Sequence, residues 1–345
     1  MPTGTGRARV VVVGAGTVGS RVVELLRDVA GVEPAAVIVR DADKERPFRG
    51  WRGLVTTDPA AADGADLLVE VAGGTGAAAD MALAALARGA RLVTANKAAL
   101  AERWDEFAPY LRAGLVWCEA AVMGGAPVVG ALATALRGCR PVALHAVLNG
   151  TCNVILSDME SGSTYESALR RAQEAGFAEA DPTLDVEGID AAHKVTLLAR
   201  LAFDPGLPFA SVEEATRGVS RLDRDVVVAH AARGRGVRLV ASVYPTEGGW
   251  RAAVRPVSLP GSSPLVVSGP TNALLFTGDP LGEVLVRGPG AGGGATATAV
   301  VSDAIAALSG GRGHTPVASP ADAAAALRAA TGRAGLPAGA EVVGA

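Results

Sequence analysis

The chain has 345 residues, 49% of them hydrophobic and 19% charged, with 32 Lys and Arg against 35 Asp and Glu. That composition excludes a disordered chain, and a net charge of −3 offers no basic face for nucleic acid. Glycine and proline are frequent, 44 and 20, but follow no fixed period, so a collagen-like chain is excluded too.

The length fits two domains. Cys118, Cys139 and Cys152 are odd in number and lack C-x-x-C spacing. They read as reduced, buried thiols in a reducing compartment, hence a cytoplasmic protein. Met1 to Arg9 has no apolar core, so no secretory signal is expected. The uncharged run from Ala120 to Leu136 is broken by Gly124, Gly125, Pro127 and Gly130. It reads as a buried loop plus helix rather than a membrane span.

In chain order, Arg9–Val13 is a β-branched run that predicts a buried strand. Thr17 to Ala30 has helical spacing, with Val18, Val22, Leu25, Leu26 and Val29 on one side. Apolar runs at Ala35–Val39, Leu67–Val71, Arg91–Thr94 and Leu115–Cys118 alternate with helical stretches, one of them Ala77–Arg88 before Gly89. Strict alternation predicts an α/β domain with a doubly wound parallel sheet. After about residue 135 the pattern changes. Val142–Leu148 reads as a strand, and Thr151–Ser161, Tyr165–Ala175 and Ile189–Ala202 as helices. Val237–Tyr244 and Arg251–Pro256 read as a hairpin across Thr246–Gly249. Gly288–Gly294 opens a helix over Ala295–Leu308, and a further Ala-rich helix is expected over Ala321–Thr331. The expected division is a dinucleotide-binding domain, 1–135 with 295–345 packing back, and an α+β domain, 136–294.

Gly14-Ala15-Gly16-Thr17-Val18-Gly19 matches G-x-G-x-x-G between a strand and a helix. Gly14 permits the tight turn, Gly16 lets the backbone approach a pyrophosphate, and Gly19 lets helix and strand pack closely. The helix N-terminus supplies N–H groups and partial positive charge. The domain is therefore read as Rossmann-type, with NADP or NAD as cofactor. The next strand ends Val39-Arg40-Asp41. An acid there holds a ribose 2′-hydroxyl and an arginine a 2′-phosphate. Arg40, with Arg46, Arg49 and Arg52 beyond it, leans towards NADP; ordinary solvated arginines are the alternative. His145, His193, His230 and His314 lack metal-site spacing and read as structural.

Lys97, after Thr94-Ala95-Asn96, sits at the carboxyl end of a predicted strand, the edge where open α/β sheets bind ligands. Gly176 to Lys194 is the most unusual stretch: an acidic loop with Pro182, then a helix on which Asp190 and Lys194, four apart, share a face. On spacing alone that pair is a surface ion pair of a few tenths of a kcal/mol.

Six segments in this order resemble the homoserine dehydrogenase family: Gly14–Gly19, Thr94–Lys97, Glu119–Pro127, Asn149-Gly150-Thr151-Cys152-Asn153, Ala172–Lys194 and Gly288–Gly294. The resemblance covers nearly the whole chain. Its most specific part is A-x3-G, an aromatic, a small residue, E-x-D-P, then D-x-x-G-x-D-x3-K. It implies reduction of L-aspartate 4-semialdehyde to L-homoserine with NAD(P)H, on the route to threonine, isoleucine and methionine. By the same resemblance Lys194 is the proton donor, Asp190 its acidic neighbour and Lys97 the second active-site lysine, beside the nicotinamide. Glu179 receives the substrate ammonium, and Asp185 is a further substrate contact. Gly14, Gly16, Thr17, Val18, Gly19, Arg40, Ala72, Gly73, Lys97 and Gly292 are the implied cofactor contacts. A Na⁺ or K⁺ site maps to Glu119 and to main-chain carbonyls of Val122, Gly124 and Ala126, where Met123 and Gly124-Gly125 vary the pattern slightly.

Hydride transfer creates a developing alkoxide, which needs a cation or proton donor at hydrogen-bond distance. Two lysines meet that need, and Asp190 is expected to orient Lys194 and pass protons. The resemblance further implies a homodimer or dimer of dimers, with the strands around Val237–Pro256 extending a sheet across a two-fold axis. No nucleic-acid or membrane partner is expected. Only about 35 residues follow the last long helix, so no C-terminal regulatory domain is expected, nor a fused N-terminal kinase. The alternatives are the same fold acting on another small aldehyde, against which Glu179 discriminates, and a dinucleotide sensor without turnover.

Overall fold

The first strand lies at the centre of its sheet because nothing from Val10 to Val13 needs water. Val10, Val11 and Val12 are wholly buried, as in a strand covered on both faces. In the computed structural model, which describes residues 7–316, 326–327, 330 and 335–344, the chain divides into two units.

The first unit holds residues up to Gly130 and Ala291–Pro316. It runs β1 (Ala8–Val13), α1 (Thr17–Arg27), β2 (Val32–Ile38), β3 (Val55–Thr56), β4 (Leu67–Glu70), α2 (Ala77–Ala87), β5 (Arg91–Thr94), α3 (Lys97–Glu102), α4 (Trp104–Ala113), β6 (Val116–Trp117) and α5 (Ala120–Met123). All ladders are parallel, in the order β3-β2-β1-β4-β5-β6. The order turns back between β1 and β4, the switch point where such sheets open a crevice. Pro34 in β2 lacks a ladder donor, and there the register against β1 slips by one residue between Val10 and Val11.

α6 (Val129–Ala133) leads into the second unit, Ala131–Gly290. It contains β7 (Arg140–Val147), α7 (Gly150–Glu160), α8 (Tyr165–Glu174), α9 (Thr183–Val186), α10 (Ile189–Ala202), α11 (Phe209–Glu214), α12 (Arg224–Ala231), β8 (Arg235–Thr246), β9 (Gly249–Pro260), β10 (Thr271–Asp279) and β11 (Gly282–Pro289). Its sheet is antiparallel, in the order β11-β10-β7-β8-β9, with α7 and α12 packed on β8 and α10 on β9. α13 (Gly293–Leu308) returns to the first unit and packs on α1, β4 and β5. β12 (Glu341–Val342) adds to the second sheet beside β9.

Two expectations differ from this division, and a third lies outside the described residues. The units part after Gly130 and Gly290, rather than at 135 and 294. Residues 335–344, expected with the first domain, lie in the second: β12 pairs with Val257 and Ser258, and the Arg235 guanidinium donates to the Gly339 carbonyl at 2.7 Å. The helix expected over Ala321–Thr331 falls almost wholly outside the described residues. The hairpin β10–β11 was not expected at all. β11 alternates between exposed and half-buried positions, so it carries too little apolar signal to stand out beside the glycine-rich turn.

α10 is the most deeply buried helix in polar terms. Every residue from Asp190 to Ala202 is buried, including Asp190, His193, Lys194, Thr196 and Arg200. A helix buried all round must satisfy each polar group it carries. The Thr196 hydroxyl donates to Ala192 O at 2.7 Å, Arg200 Nε to Leu207 O at 2.8 Å, and His193 stacks on Phe209. Cys118 and Cys152 are buried free thiols, whereas Cys139 is only half-buried.

Candidate active site

In the first unit the glycine turn is built as the motif requires. Gly14 has φ +100°, and a Cβ there would meet Ala72 backbone at 2.8 Å. A Cβ on Gly19 would lie 2.1 Å from Gly14 O. At Gly16, by contrast, a Cβ would meet nothing within 4 Å: this face is open. Gly16 caps α1 without a side-chain hydrogen bond, and the first turn has no acid. Its N–H groups and partial positive charge therefore suit a pyrophosphate. The second glycine turn is adjacent, since a Cβ on Gly293, the residue after Gly292, would lie 2.9 Å from Thr17 Cγ2.

Ala72 and Gly73 are held by a residue that sequence reasoning missed. The buried Glu70 carboxylate, at the end of β4, accepts from Ala72 N at 2.9 Å and Gly73 N at 2.8 Å. Its other oxygen accepts from the Thr94 hydroxyl at 2.7 Å. Asn96 donates from Nδ2 to Gly74 O at 2.7 Å and caps α3 by accepting from Ala99 N. Lys97, half-buried, is the first residue of that helix. A lone acid closing an apolar strand, Leu-Leu-Val-Glu, is the signal that could have found Glu70.

Beyond β2 the arginines separate. Arg40 is exposed. Arg46 is buried, with its guanidinium committed to the carbonyls of Lys44 and, at 2.9 Å, Asp41. Arg52 lies 4.7 Å over the Trp51 ring. Asp41 Oδ1 accepts from Asp43 N at 2.9 Å and Lys44 N at 3.2 Å, closing its own turn.

Glu119 is also satisfied from the main chain. Its carboxylate accepts from Val128 N at 2.7 Å, Val129 N at 2.8 Å and Gly130 N at 2.6 Å, at the start of α6. Burial pushes its pKa up and these three bonds pull it down. Beside it, Asp303 accepts from Glu119 N at 2.9 Å and is pushed up to about 7 by burial. His314 accepts from Cys118 N at Nδ1, and burial lowers it to about 4. Among the described residues no cluster of three or more His, Cys, Asp or Glu could hold a metal.

In the second unit Lys194 Nζ donates to Asp190 Oδ2 at 2.6 Å and to Leu148 O at 2.7 Å. Both side chains of this pair are 10% exposed, so the surface-pair expectation fails. An ammonium has three hydrogens, and the third is uncommitted among the described residues. Asp185 joins the cluster through Asn149, which donates from Nδ2 to both Asp185 Oδ1 and Asp190 Oδ2. Asn149 lies in one of the six matching segments, yet its place in the motif carries no role by itself. Cys152 beside it donates to Asp185 O at 3.1 Å, and burial keeps it a thiol. Glu179 is exposed on the loop after α8, tied down by Gln173 donating to its carbonyl at 3.0 Å. Its side chain makes no hydrogen bond to the lysine cluster among the described residues.

Comparison with known proteins agrees with this geometry. Residues 127–305 match the profile of homoserine dehydrogenase, and residues 14–111 that of the homoserine dehydrogenase NAD binding domain. The chain belongs to the homoserine dehydrogenase family. A homoserine dehydrogenase of Synechocystis sp. is 39% identical over 317 residues, 86% of this chain and 72% of its own length. A solved homoserine dehydrogenase from Thiobacillus denitrificans superposes with TM-score 0.80 at 36% identity, covering 87% of this chain and 73% of that one. A hyperthermophilic archaeal homoserine dehydrogenase in complex with NADPH gives TM-score 0.75 at 27% identity, covering 89% and 99%. The activity is therefore that of an NAD(P)-dependent oxidoreductase acting on a CH–OH group. Among the described residues no helix is long and apolar enough to cross a membrane.

The two glycines separate fold from binding. Gly19→Ala should lower Tm, at a cost of about 1–3 kcal/mol, because its Cβ meets backbone. Gly16→Ala should leave Tm unchanged and weaken NADPH binding by about tenfold or more, a loss of about 1.4 kcal/mol. Thermal melts and nucleotide fluorescence titrations check both; unchanged affinity in Gly16→Ala would remove this turn from the cofactor site.

Proposed function

We propose that Lys194 donates the proton when L-aspartate 4-semialdehyde is reduced to L-homoserine, with Asp190 fixing its direction. The observation carrying this reading is the buried ammonium with two hydrogens committed and one left for a substrate oxygen. Because Lys194 is buried, its charge acts in a medium that screens it less than water, where stabilisation of a developing alkoxide is strongest. After Lys194 has given its proton to the product alcohol, Asp190 passes a proton from solvent back to it. Lys97, fixed at the start of α3, is the second active-site lysine, beside the nicotinamide. The bound nicotinamide itself supplies the hydride. The exposed carboxylate of Glu179 receives the substrate ammonium, and Asp185 completes the substrate contacts.

NADP is the proposed cofactor over NAD. Asp41, the acid placed to take a ribose 2′-hydroxyl, spends Oδ1 on its own turn, while Arg40 stands exposed beside it. A monovalent cation, Na⁺ or K⁺, is assigned to the main-chain oxygens of Val122, Gly124 and Ala126 beside Glu119. Hard carbonyl oxygens suit such an ion. Glu119, already bonded to three N–H groups, supplies mainly the negative field. A homodimer or dimer of dimers through the second sheet around Val237–Pro256, and a cytoplasmic location, complete the proposal.

The direct test follows nicotinamide absorbance with homoserine and NADP⁺ or NAD⁺, with and without Na⁺ or K⁺. Lys194→Ala should lower kcat by roughly a hundredfold or more, as loss of a general acid does, while cofactor Kd stays near wild type. Equal losses in both would sink the proton-donor role. Glu179→Gln should mainly raise KM for homoserine; an unchanged KM removes it from substrate binding. Arg40→Ala should weaken NADPH by about tenfold, near 1.4 kcal/mol, and NADH hardly at all. If both cofactors weaken alike, the 2′-phosphate assignment is wrong.

A further inference from the structure

We infer that Asn149 is a positioning residue for the reaction: its single side-chain amide ties Asp185 and Asp190 together and fixes the carboxylate that aims Lys194. This inference rests on the proton-donor role of Lys194.

Asn149 is 4% exposed and lies just past β7. Its amide nitrogen has two hydrogens, and both are spent on carboxylates: Asp185 Oδ1 at 2.7 Å and Asp190 Oδ2 at 2.9 Å. Its carbonyl oxygen accepts from Cys152 N at 2.9 Å and so caps α7. Chemistry fixes which way the amide faces. Turned over, its oxygen would meet two acceptor-only carboxylates and its NH₂ would meet an N–H donor.

The same Asp190 oxygen receives both Asn149 and Lys194 Nζ. Neighbouring Leu148 supplies the other acceptor for Nζ. One turn, Leu148–Asn149, therefore sets both bonds of the ammonium, one directly and one through Asp190. That turn has little room to shift, since a Cβ on Gly150 would lie 3.1 Å from Pro270 backbone.

A helix cap alone does not need asparagine. Serine and aspartate cap equally well, using only an oxygen. What serine and aspartate lack is the pair of N–H donors facing two acids. The charges acting on Cys152, whose N–H the amide oxygen caps, are Asp185 on α9, Glu187 just after it, and Asp190 and Lys194 on α10. The three acids all raise the Cys152 thiol on α7, and Lys194 opposes them. Without the amide, Asp185 and Asp190 lose the one donor group they share.

Two variants keep the cap and remove the donors. Asn149→Ser should fold with a lowered Tm, because two carboxylates lose a donor, and keep its cofactor Kd while kcat falls by roughly tenfold to a hundredfold, the loss expected of a misaimed group. Asn149→Asp adds a further acid beside Asp185 and Asp190. Like-charge repulsion favours protonation, so the acid limb of its kcat–pH profile should move to higher pH. A purely structural cap would leave kcat of Asn149→Ser at the wild-type value. Wild-type kcat in Asn149→Ser overturns the inference. Should Asn149→Ser fail to fold, an unmoved acid limb in Asn149→Asp overturns it instead. Undiminished kcat in Lys194→Ala, measured alongside, would overturn the underlying reading of Lys194 whatever Asn149 does.

Discussion

An ammonium and a carboxylate inside a helix with no solvent face are costly to bury. Each ion loses several kcal/mol of hydration, and their attraction offsets this only with good geometry and further hydrogen bonds. Lys194 and Asp190 meet at 2.6 Å, and each has further partners: Leu148 O for the lysine, the Asn149 amide for the aspartate. Removing one member of such a pair costs about 3–5 kcal/mol, because the other charge is left alone. Much of the second unit serves to keep that geometry. Gly188, at φ +83°, starts α10 where its residues meet the Asn149 turn. A Cβ on Gly218 would lie 2.1 Å from Val186 O, so the loop after α11 packs closely on the end of α9, just ahead of α10.

The first unit handles buried acids in a similar way. Glu70 holds the turn beside the first glycines by accepting from Ala72 N, Gly73 N and the Thr94 hydroxyl. Glu119 closes the start of α6 through three consecutive N–H groups. In neither case is a side-chain cation the partner. Satisfying a carboxylate with fixed N–H groups keeps its negative charge in place and leaves lysines available for ligands. Lys194 differs: it is the acid's partner and also has a hydrogen beyond its two bonds to Asp190 and Leu148.

How far the sequence could be read depends on how local each feature is. The glycine turn was legible because six consecutive residues carry it and each glycine has a steric reason nearby. The Asp190–Lys194 pair was legible because one helical turn joins them. Its environment was not. Spacing alone gave a surface pair, and only the resemblance to a family pointed to chemistry. The all-round burial of α10 comes from α11 and β9, which approach from elsewhere in the chain. The hairpin β10–β11 was missed for a related reason. β10 is fixed by pairing with β7 far upstream, while β11, at the sheet edge, shows little apolar pattern of its own.

Asn149, Glu70 and Arg46 show the limit most clearly. Asn149 reaches Asp190 across 41 residues, and Glu70 reaches Thr94 across 24. Nothing in local composition distinguishes an asparagine that caps a helix from one that also bridges two acids. Arg46 errs in the other direction. Its position in an arginine-rich loop suggested a phosphate contact, yet burial commits it to carbonyls within five residues. A sequence therefore reveals a polar residue's chemical capacity, while burial decides whether that capacity is spent on the fold or kept for a ligand. Arg40 and Lys194 matter because each retains capacity where its neighbours do not: Arg40 beside an acid closed on its own turn, and Lys194 with one hydrogen beyond what its buried partners require.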